Sequence, residues 1–258
     1  MTAPRYAVAL CPDLRAAAGI AAAEWLGRCA ERNVRLAQPW IPGIAPALFA
    51  AITEEPRNRG FHAPLRSAFF AAAGVSRRAI VEEIQSIASS HRPLTLPPLA
   101  VRMYGERLAI VPSGPARDVA TLSAECLMRL EAYRAPCDAG EIRERAAQGL
   151  SARQHALLLR WGDPGVMDEY RLAYALTGQI TMFGEEMAER LAAHAAAHFA
   201  GVMAALRRID HIVLLEQPVP GTPFRITLVE PLGPLAPGVH VGPKRGSRSA
   251  PQNALRRS

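Results

Sequence analysis

Residues 58–70, NRGFHAPLRSAFF, place the polar His62 inside a run that otherwise has the composition of a buried β-strand. Side chains of one parity lie on one face of a strand, so His62, Pro64 and Arg66 are predicted to share a face. Proline has no N–H to donate to a neighbouring strand. Pro64 therefore predicts that this strand lies at a sheet edge or contains a bulge.

A second stretch, residues 168–180 (DEYRLAYALTGQI), shows the same alternation but offers alanine where the first offers histidine. One predicted face of this strand holds Arg171, Ala173, Ala175 and Thr177. If the two strands lie side by side in two similar lobes, their faces line a common cleft. That cleft would contain one imidazole, two guanidinium groups and one hydroxyl.

The composition indicates a globular protein. Half of the 258 residues are apolar, which suffices for a sizeable core in one large or two small domains. No run of about 18 uncharged apolar residues occurs, and the first residues lack the order of a signal peptide, so we expect a cytoplasmic protein without a membrane partner. Four scattered cysteines without C-x-x-C spacing predict buried or half-buried free thiols: Cys11, Cys29, Cys126 and Cys137.

The net charge of +7 is concentrated at the C-terminus. Residues 232–258 carry five basic side chains and no acidic one, which leaves +2 for the remainder. This segment is rich in Gly, Pro and Ser and predicts a disordered basic tail after a domain spanning residues 1–231. The near-neutral body and an aromatic content of 6% disfavour a nucleic-acid-binding domain. Only the tail is expected to contact nucleic acid, weakly and through phosphates.

The order of predicted elements mixes pairs of strands with helices and lacks regular βαβ alternation, which favours an α+β fold with antiparallel sheets. Asp13 and Ser76 are predicted to cap helices, and Gly105 and Gly221 to lie in the turns of strand pairs. Strands are expected at about residues 5–10, 60–70, 94–104, 106–113, 168–180, 211–217 and 224–230. Helices are expected at about residues 14–31, 46–53, 77–90, 117–133, 139–150, 152–161 and 183–206.

Several of these segments together resemble a known family. RYAVAL, GFHAPLRSAF, RLAIVPSGPARDVATLSAECL and the run from YRAPCDAG to YALTG resemble the phosphonate-operon-associated family of phosphonate metabolism proteins, a branch of the two-histidine (2H) phosphoesterase superfamily. The resemblance covers about residues 5–231, and residues 154–178 are its most specific part. It implies a bilobal fold in which two antiparallel sheets face a central cleft with helices outside.

The resemblance also implies a chemistry. Each lobe of such a protein presents H-x-T or H-x-S to the cleft, as in cyclic phosphodiesterases. Two imidazoles then exchange the roles of general base and general acid near neutral pH, without a metal or other cofactor. The motif hydroxyls donate hydrogen bonds to the phosphoryl oxygens and stabilise their charge.

Three of the four defining residues are absent from this sequence. The family's G-F-H-A-T-L-K stands at residues 60–66, where the histidine is kept as His62, the hydroxyl is replaced by Pro64 and the basic residue is kept as Arg66. The family's F-R-F-H-M-T-L-T-G stands at residues 170–178, where the histidine and its hydroxyl are Ala173 and Ala175. Loss of one acid–base partner costs about 10² to 10⁴ in rate, so little two-histidine catalysis is expected.

The retained residues predict a degenerate site that binds an anion. Arg66, Arg171 and Thr177 are predicted to hold a phosphate- or phosphonate-bearing small molecule, with His62 as the surviving acid–base residue. One alternative is an active phosphodiesterase in which His62 works with Tyr174 or His155. Another is a non-catalytic interaction partner of phosphonate-pathway enzymes. The substrate and the oligomeric state are left open.

His194 and His198 lie four residues apart on a predicted helix, a spacing compatible with two ligands of one metal ion. No glutamate lies between them and no third ligand is evident. Apolar residues share their helical face, so packing is favoured over a metal site.

Overall fold

The computed structural model describes residues 4–147 and 149–234. These residues form eight α-helices and eleven β-strands. The helices are α1 (Ala17–Leu26), α2 (Pro46–Ile52), α3 (Glu54–Arg59), α4 (Arg77–Ser90), α5 (Arg117–Leu130), α6 (Ala139–Ala146), α7 (Ala152–Trp161) and α8 (Glu185–Phe199). The strands are β1 (Arg5–Leu10), β2 (Arg28–Cys29), β3 (Val34–Arg35), β4 (Ala63–Phe70), β5 (Leu94–Thr95), β6 (Leu99–Tyr104), β7 (Arg107–Pro112), β8 (Tyr174–Gln179), β9 (Arg208–Ile209), β10 (His211–Gln217) and β11 (Arg225–Pro231).

The strands form two main sheets. The larger has four strands in the order β11-β10-β1-β4, and the smaller has three in the order β6-β7-β8. Two short ribbons, β2-β3 and β5-β9, complete the pairing. Every pair is antiparallel, and helices are interspersed along the chain, so the α+β prediction is confirmed.

Pro64 predicted that its strand lies at a sheet edge or contains a bulge, and β4 shows both features. It lies at the edge of the four-stranded sheet, and its register with β1 shifts between Pro64, which pairs with Ala9, and Arg66, which pairs with Val8. The extra residue is Leu65, whose carbonyl accepts a hydrogen bond from Ser123 Oγ at 2.8 Å. A bulge of this kind moves the following side chain to the other face of the strand.

Helix boundaries follow local capping, with one correction. The predicted cap Ser76 accepts a hydrogen bond from the Ala79 N–H at 3.2 Å and begins α4. Asp13 does not cap α1, which begins at Ala17. Its Oδ1 instead accepts from the Arg15 N–H at 2.9 Å, so the carboxylate belongs to a turn that precedes the helix.

Several predicted elements are shorter than expected. The helix predicted over residues 14–31 spans only Ala17–Leu26, and the one predicted over residues 139–150 ends at Ala146. The second strand was predicted over residues 168–180, but β8 begins only at Tyr174 because Met167–Glu169 form a 3-10 turn. The helix predicted over residues 183–206 ends at Phe199, and a 3-10 turn follows at Ala205–Arg207.

One face of the four-stranded sheet packs into the main hydrophobic core. Tyr6, Val8 and Leu10 of β1 face this core together with residues of α1, α4, α5, α8 and the three-stranded sheet. Ala7 and Ala9 face the opposite side, where they form a smaller apolar cluster with Leu215 and Phe224. The thiols are free as predicted, with Cys137 half-buried and the other three buried.

The described residues continue past position 231, the predicted end of the domain. Leu232 is buried, and its N–H donates to the Asp210 carbonyl at 2.8 Å. The predicted tail lies outside the described residues from position 235 onward. Within residues 4–147 and 149–234, no helix has the length and apolarity needed to cross a membrane.

Candidate anion-binding site

A cavity of about 640 Å³ lies over the face of the four-stranded sheet that points away from the main core. We call it the sheet cavity. Its floor includes Ala7, Pro64 and Leu215, and its opposite wall comes from α6 and the loop at Asp163 and Pro164. No residue of the three-stranded sheet lines it. Its charged or titratable lining residues are Arg5, Arg59, His62, Glu141, Glu144, Arg145 and Asp163.

Arg5 is a cation without an acidic partner at the edge of this cavity. It begins β1 on the same face as the short side chains of Ala7 and Ala9. Its Cζ lies 5.4 Å from the ring centroid of Phe70 and 5.9 Å from that of Phe224. Among the described residues no carboxylate lies within 4.0 Å of it, and its buried Nε has no hydrogen-bond partner. A guanidinium held in this way is prepared to bind an anion.

Two further guanidinium groups line the same cavity. Arg59, at the end of α3, pairs with Glu55 at 3.0 Å but keeps more than half of its side chain exposed. Arg145 of α6 donates to the Gly162 carbonyl and lies 3.8 Å from Glu141. Burial, and next the charge of Arg145, lower the pKa of Arg5, and the charge of Glu141 acts against this shift. This mutual repulsion between cations would be relieved by an anion bound among them.

The wall opposite the sheet supplies hydrogen-bond acceptors. Glu144 lines the cavity from α6 and is exposed. Asp163 lies in the following loop, where its Oδ1 accepts from the Gly165 N–H at 2.8 Å. Glu141 completes the capping box of α6 and accepts from the Asp138 N–H at 3.2 Å. Carboxylates at this wall can accept hydrogen bonds from hydroxyl groups of a ligand whose anionic group lies on the arginines.

His62 lines the cavity in a defined tautomer. Its Nδ1 lies 2.8 Å from the Gly60 carbonyl oxygen. Because a carbonyl only accepts, Nδ1 carries the hydrogen and Nε2 keeps a free lone pair. Burial lowers the pKa of His62 to about 4, which the bond to Gly60 partly offsets and the charge of Arg59 reinforces. At neutral pH the ring is therefore uncharged, and Nε2 can accept a hydrogen bond or a proton.

We expect the stability of the protein to fall as the pH decreases from about 6.5 to about 4. Over this window the unfolded chain protonates the His62 side chain and the folded chain does not, because its folded pKa lies below the ordinary 6.5. The full shift corresponds to ~3 kcal/mol, and we expect about 1–2 kcal/mol because the ring borders an open cavity. Urea denaturation across this range should show a shallower pH dependence in His62→Gln. The exposed-site variant His155→Gln is the control, and equal slopes in all three proteins would contradict the assignment.

Gly60 fixes the position of His62. Its backbone has φ +82° and ψ 163°, a region populated essentially by glycine alone. A Cβ at this position would lie 2.8 Å from the Cβ of Ala30. The turn that orients the imidazole therefore requires glycine.

Gly60→Ala is expected to destabilise the protein by about 2–4 kcal/mol, because backbone strain and a steric clash add. Gly74→Ala is the matched control, since Gly74 has φ +81° but no atom within 4 Å of the added Cβ. That variant should lose about 1–2 kcal/mol from strain alone. Urea denaturation measures both, and an equal loss would show that the close approach to Ala30 is unimportant.

The structure does not bring Arg66, Arg171 and Thr177 to the cavity that His62 lines. Arg66 is 2% exposed and points to the other face of β4 because of the bulge at Leu65. Arg171 precedes β8 and donates to the Asp168 and Tyr170 carbonyls, both at 2.8 Å. The prediction that His62, Pro64 and Arg66 share one face is therefore wrong for Arg66.

Thr177 is buried and its hydroxyl is satisfied by the backbone. Oγ1 accepts from the Leu108 N–H at 3.0 Å and donates to the Gly178 carbonyl at 2.8 Å. The register of β8 shifts here, since Arg107 pairs with Gln179 but Ala109 pairs with Ala175. This irregularity ends the strict alternation on which the predicted position of Thr177 depended.

The residues weighed as substitutes for the missing histidine also lie elsewhere. Tyr174 is buried with its ring stacked on Phe61 at 5.0 Å, and burial raises the pKa of its hydroxyl. His155 is exposed on α7. Neither residue lines the sheet cavity.

Of the two histidines on α8, His198 packs against neighbouring elements. Its Nε2 donates to the Ala21 carbonyl at 2.8 Å, and its ring lies against Trp25. Across the described part of the chain, no group of three or more His, Cys, Asp or Glu side chains is arranged to hold a metal ion.

Sequence reasoning missed the residues that dominate the cavity, above all Arg5 and Arg145. The sequence did contain a signal for Arg5. This cation begins an otherwise apolar strand and shares a strand face with Ala7 and Ala9, whose short side chains leave open space. No comparable signal existed for Arg145 or Asp163, since their approach to the sheet depends on how α6 and the following loop pack.

The fold and the cavity define an α+β protein with an arginine-lined pocket over an antiparallel sheet. Residues 64–225 match the family described as "Protein of unknown function (DUF1045)", and the chain belongs to this family.

The chain is also similar to two curated proteins named "Ribose 1,5-bisphosphate phosphokinase PhnN". The protein from Janthinobacterium sp. (strain Marseille) is 30% identical over 221 residues, which cover 85% of this chain and 49% of the relative. The protein from Laribacter hongkongensis (strain HLHK9) is 32% identical over 226 residues, which cover 86% and 50%. The chain thus spans about half the length of these relatives.

Proposed function

We propose that this protein binds a phosphate- or phosphonate-bearing small molecule in the sheet cavity and has lost two-histidine turnover. The observation that carries the proposal is Arg5, a half-buried guanidinium with an unpartnered Nε and no described carboxylate within 4.0 Å, at the edge of a 640 Å³ cavity. Arg59 and Arg145 add positive charge to the same cavity. A doubly charged phosphate group uses such a cluster well, because guanidinium groups donate paired hydrogen bonds.

A phosphorylated sugar suits the remainder of the cavity. Glu144 and Asp163 offer acceptors for hydroxyl groups on the wall opposite the sheet, and Nε2 of His62 offers another. The rings of Phe70 and Phe224 offer apolar surface for the carbon skeleton. The curated relatives are named for a ribose bisphosphate, which supports the same class of ligand.

We do not assign the kinase reaction in the relatives' names to this chain. The sequence contains neither G-x-G-x-x-G nor G-x-x-x-x-G-K-[ST], and its single lysine, Lys244, follows Pro243. Phosphoryl transfer of the P-loop type requires such a loop and lysine to hold the phosphates. We propose that this chain corresponds to the ligand-binding half of such proteins and that the kinase chemistry belongs to the other half.

The proposal retains the ancestry that the sequence suggested, a phosphonate-metabolism protein derived from two-histidine phosphoesterases. The two motif segments meet through the stacked rings of Phe61 and Tyr174, which flank His62 and Ala173. His62 survives as a neutral base, but the position of the general acid is an alanine. A phosphodiester leaving group would therefore depart without a proton donor, which disfavours turnover.

Calorimetric titration with ribose 5-phosphate, ribose 1,5-bisphosphate, methylphosphonate and ribose tests the proposal. We expect binding of the phosphorylated sugars and none of ribose. Phosphorus NMR of the same protein with a 2′,3′-cyclic nucleotide should show no hydrolysis above the buffer rate. Failure of every phosphorylated ligand to bind would overturn the binding role. Hydrolysis that disappears in His62→Ala would favour an active phosphodiesterase instead.

A further inference from the structure

A small recess of about 20 Å³ lies beside the sheet cavity, behind β4. We call it the arginine recess, because the guanidinium-bearing residues Arg66, Arg134 and Arg145 line it together with Cys137, Glu141 and Trp161. It shares Glu141 and Arg145 with the wall of the sheet cavity. The volume admits one guest of about the size of a water molecule, which needs about 10–15 Å³.

Arg66 reaches this recess with a donor that the protein leaves unused. Its side chain is 2% exposed, and its Nε is buried without a hydrogen-bond partner. Its Nη2 lies 3.2 Å from the Trp161 carbonyl oxygen and 3.5 Å from Glu131. Buried donors are almost always paired, so an unpaired one beside a recess indicates a missing acceptor.

The nearest carboxylate cannot fully compensate Arg66, because other arginines compete for it. Glu131 accepts from Arg134 at both oxygens, at 2.7 and 3.0 Å, and also lies 3.7 Å from Arg160. Burial lowers the pKa of Arg66 to about 10; Asp163 and Glu131 act against this shift, and Arg134 reinforces it. Within the recess the only carboxylate is Glu141, which already accepts from the Asp138 N–H.

We propose that the arginine recess is a buried site for a single small anion of the halide class, such as chloride. A halide accepts hydrogen bonds from several N–H groups at once, so it would satisfy Nε of Arg66. It would also offset the charge of the surrounding guanidinium groups, which a water molecule would leave uncompensated. A phosphate group is too large for the recess and would remain in the sheet cavity.

Anomalous diffraction from crystals of the full chain soaked in sodium bromide tests the site directly. We expect one buried bromide peak among Arg66, Arg134 and Arg145. In solution, replacing gluconate by chloride at constant ionic strength should raise the melting temperature saturably by about 2–4 °C. A recess without bromide density, or melting temperatures that are the same in both salts, would overturn the proposal.

Two variants and one control make the solution experiment specific. Arg66→Met should abolish the chloride-dependent rise, and Glu131→Gln should lower the chloride concentration at half-effect about threefold or more because a competing carboxylate charge is removed. Arg160→Ala is the control, since Arg160 lies 3.7 Å from Glu131, is 64% exposed and does not line the recess. If Arg66→Met does not fold, Glu131→Gln decides, and an unchanged half-effect would contradict the site. Arg5→Ala should keep the chloride effect, which separates this inference from the proposed ligand binding.

Discussion

Arg5→Ala should weaken the binding of ribose 5-phosphate by about 10- to 100-fold, the range that corresponds to about 1.5–3 kcal/mol for hydrogen bonds to a charged group. Arg5 is expected to dominate because no described carboxylate lies within 4.0 Å of its guanidinium, whereas Arg59 pairs with Glu55 and Arg145 bonds the Gly162 carbonyl. Its position against Phe70 and Phe224 also limits its freedom before the ligand arrives. Isothermal titration calorimetry at fixed ionic strength measures the change.

Arg5→Lys and Arg78→Ala complete this experiment. Lysine keeps the charge but loses the paired donors of the guanidinium fork, so we expect an intermediate affinity. Arg78 is 87% exposed on α4 and pairs with Glu82. Arg78→Ala therefore also removes one positive charge, but far from the site. Equal affinity of Arg5→Ala and Arg78→Ala would show that only net charge matters and that Arg5 does not contact the ligand.

Phe61→Ala should destabilise the protein by about 3–5 kcal/mol, the usual cost of removing a buried aromatic ring. Phe61 is 4% exposed, and its ring stacks on Tyr174 at 5.0 Å and on Phe199 at 5.8 Å. Its removal would leave a cavity where the segment before β4 meets β8 and α8. Urea denaturation monitored by circular dichroism gives the free energy of unfolding.

Trp40→Ala is the control for this substitution, because Trp40 is a large aromatic residue with 74% of its surface exposed. It should change the free energy of unfolding by about 0.5 kcal/mol or less. A similarly small effect of Phe61→Ala would mean that the two motif segments do not meet through these rings.

Much of the fold was accessible from local sequence signals. Ser76 sets the start of α4, and Gly105 with φ +59° allows the turn between β6 and β7. Pro64 predicted an edge strand or a bulge, and β4 has both. These signals are short-range, because each depends on the hydrogen-bonding capacity or backbone freedom of one residue.

The site was harder to predict, because strand parity does not survive a bulge. One extra residue at Leu65 moves Arg66 from the face of Pro64 to the opposite one, and at the register shift in β8 the Thr177 hydroxyl bonds the Leu108 N–H and the Gly178 carbonyl. Pro64 indicated that a bulge was possible but not where the pairing would resume. Among the arginines on the described strands, the one that lines the sheet cavity is Arg5 of β1.

The proposed function requires a pocket that holds an anion but lacks a second acid–base group. His62 keeps its orientation through the Gly60 carbonyl, while Ala173 provides no proton donor. An anion held by Arg5 and Arg145 would lie over the sheet on the His62 side, where Nε2 accepts a hydrogen bond from a ligand hydroxyl. Under the proposed function, the same pocket binds a phosphorylated molecule without cleaving it.

The most direct test of this account is the crystal structure of the protein soaked in tungstate, a heavy tetrahedral anion that reports phosphate sites by anomalous scattering. The account predicts the strongest peak in the sheet cavity, within hydrogen-bond distance of Arg5 and close to Arg59 or Arg145. A strongest peak at Arg171, or a sheet cavity without tungstate at a concentration that saturates binding, would contradict it.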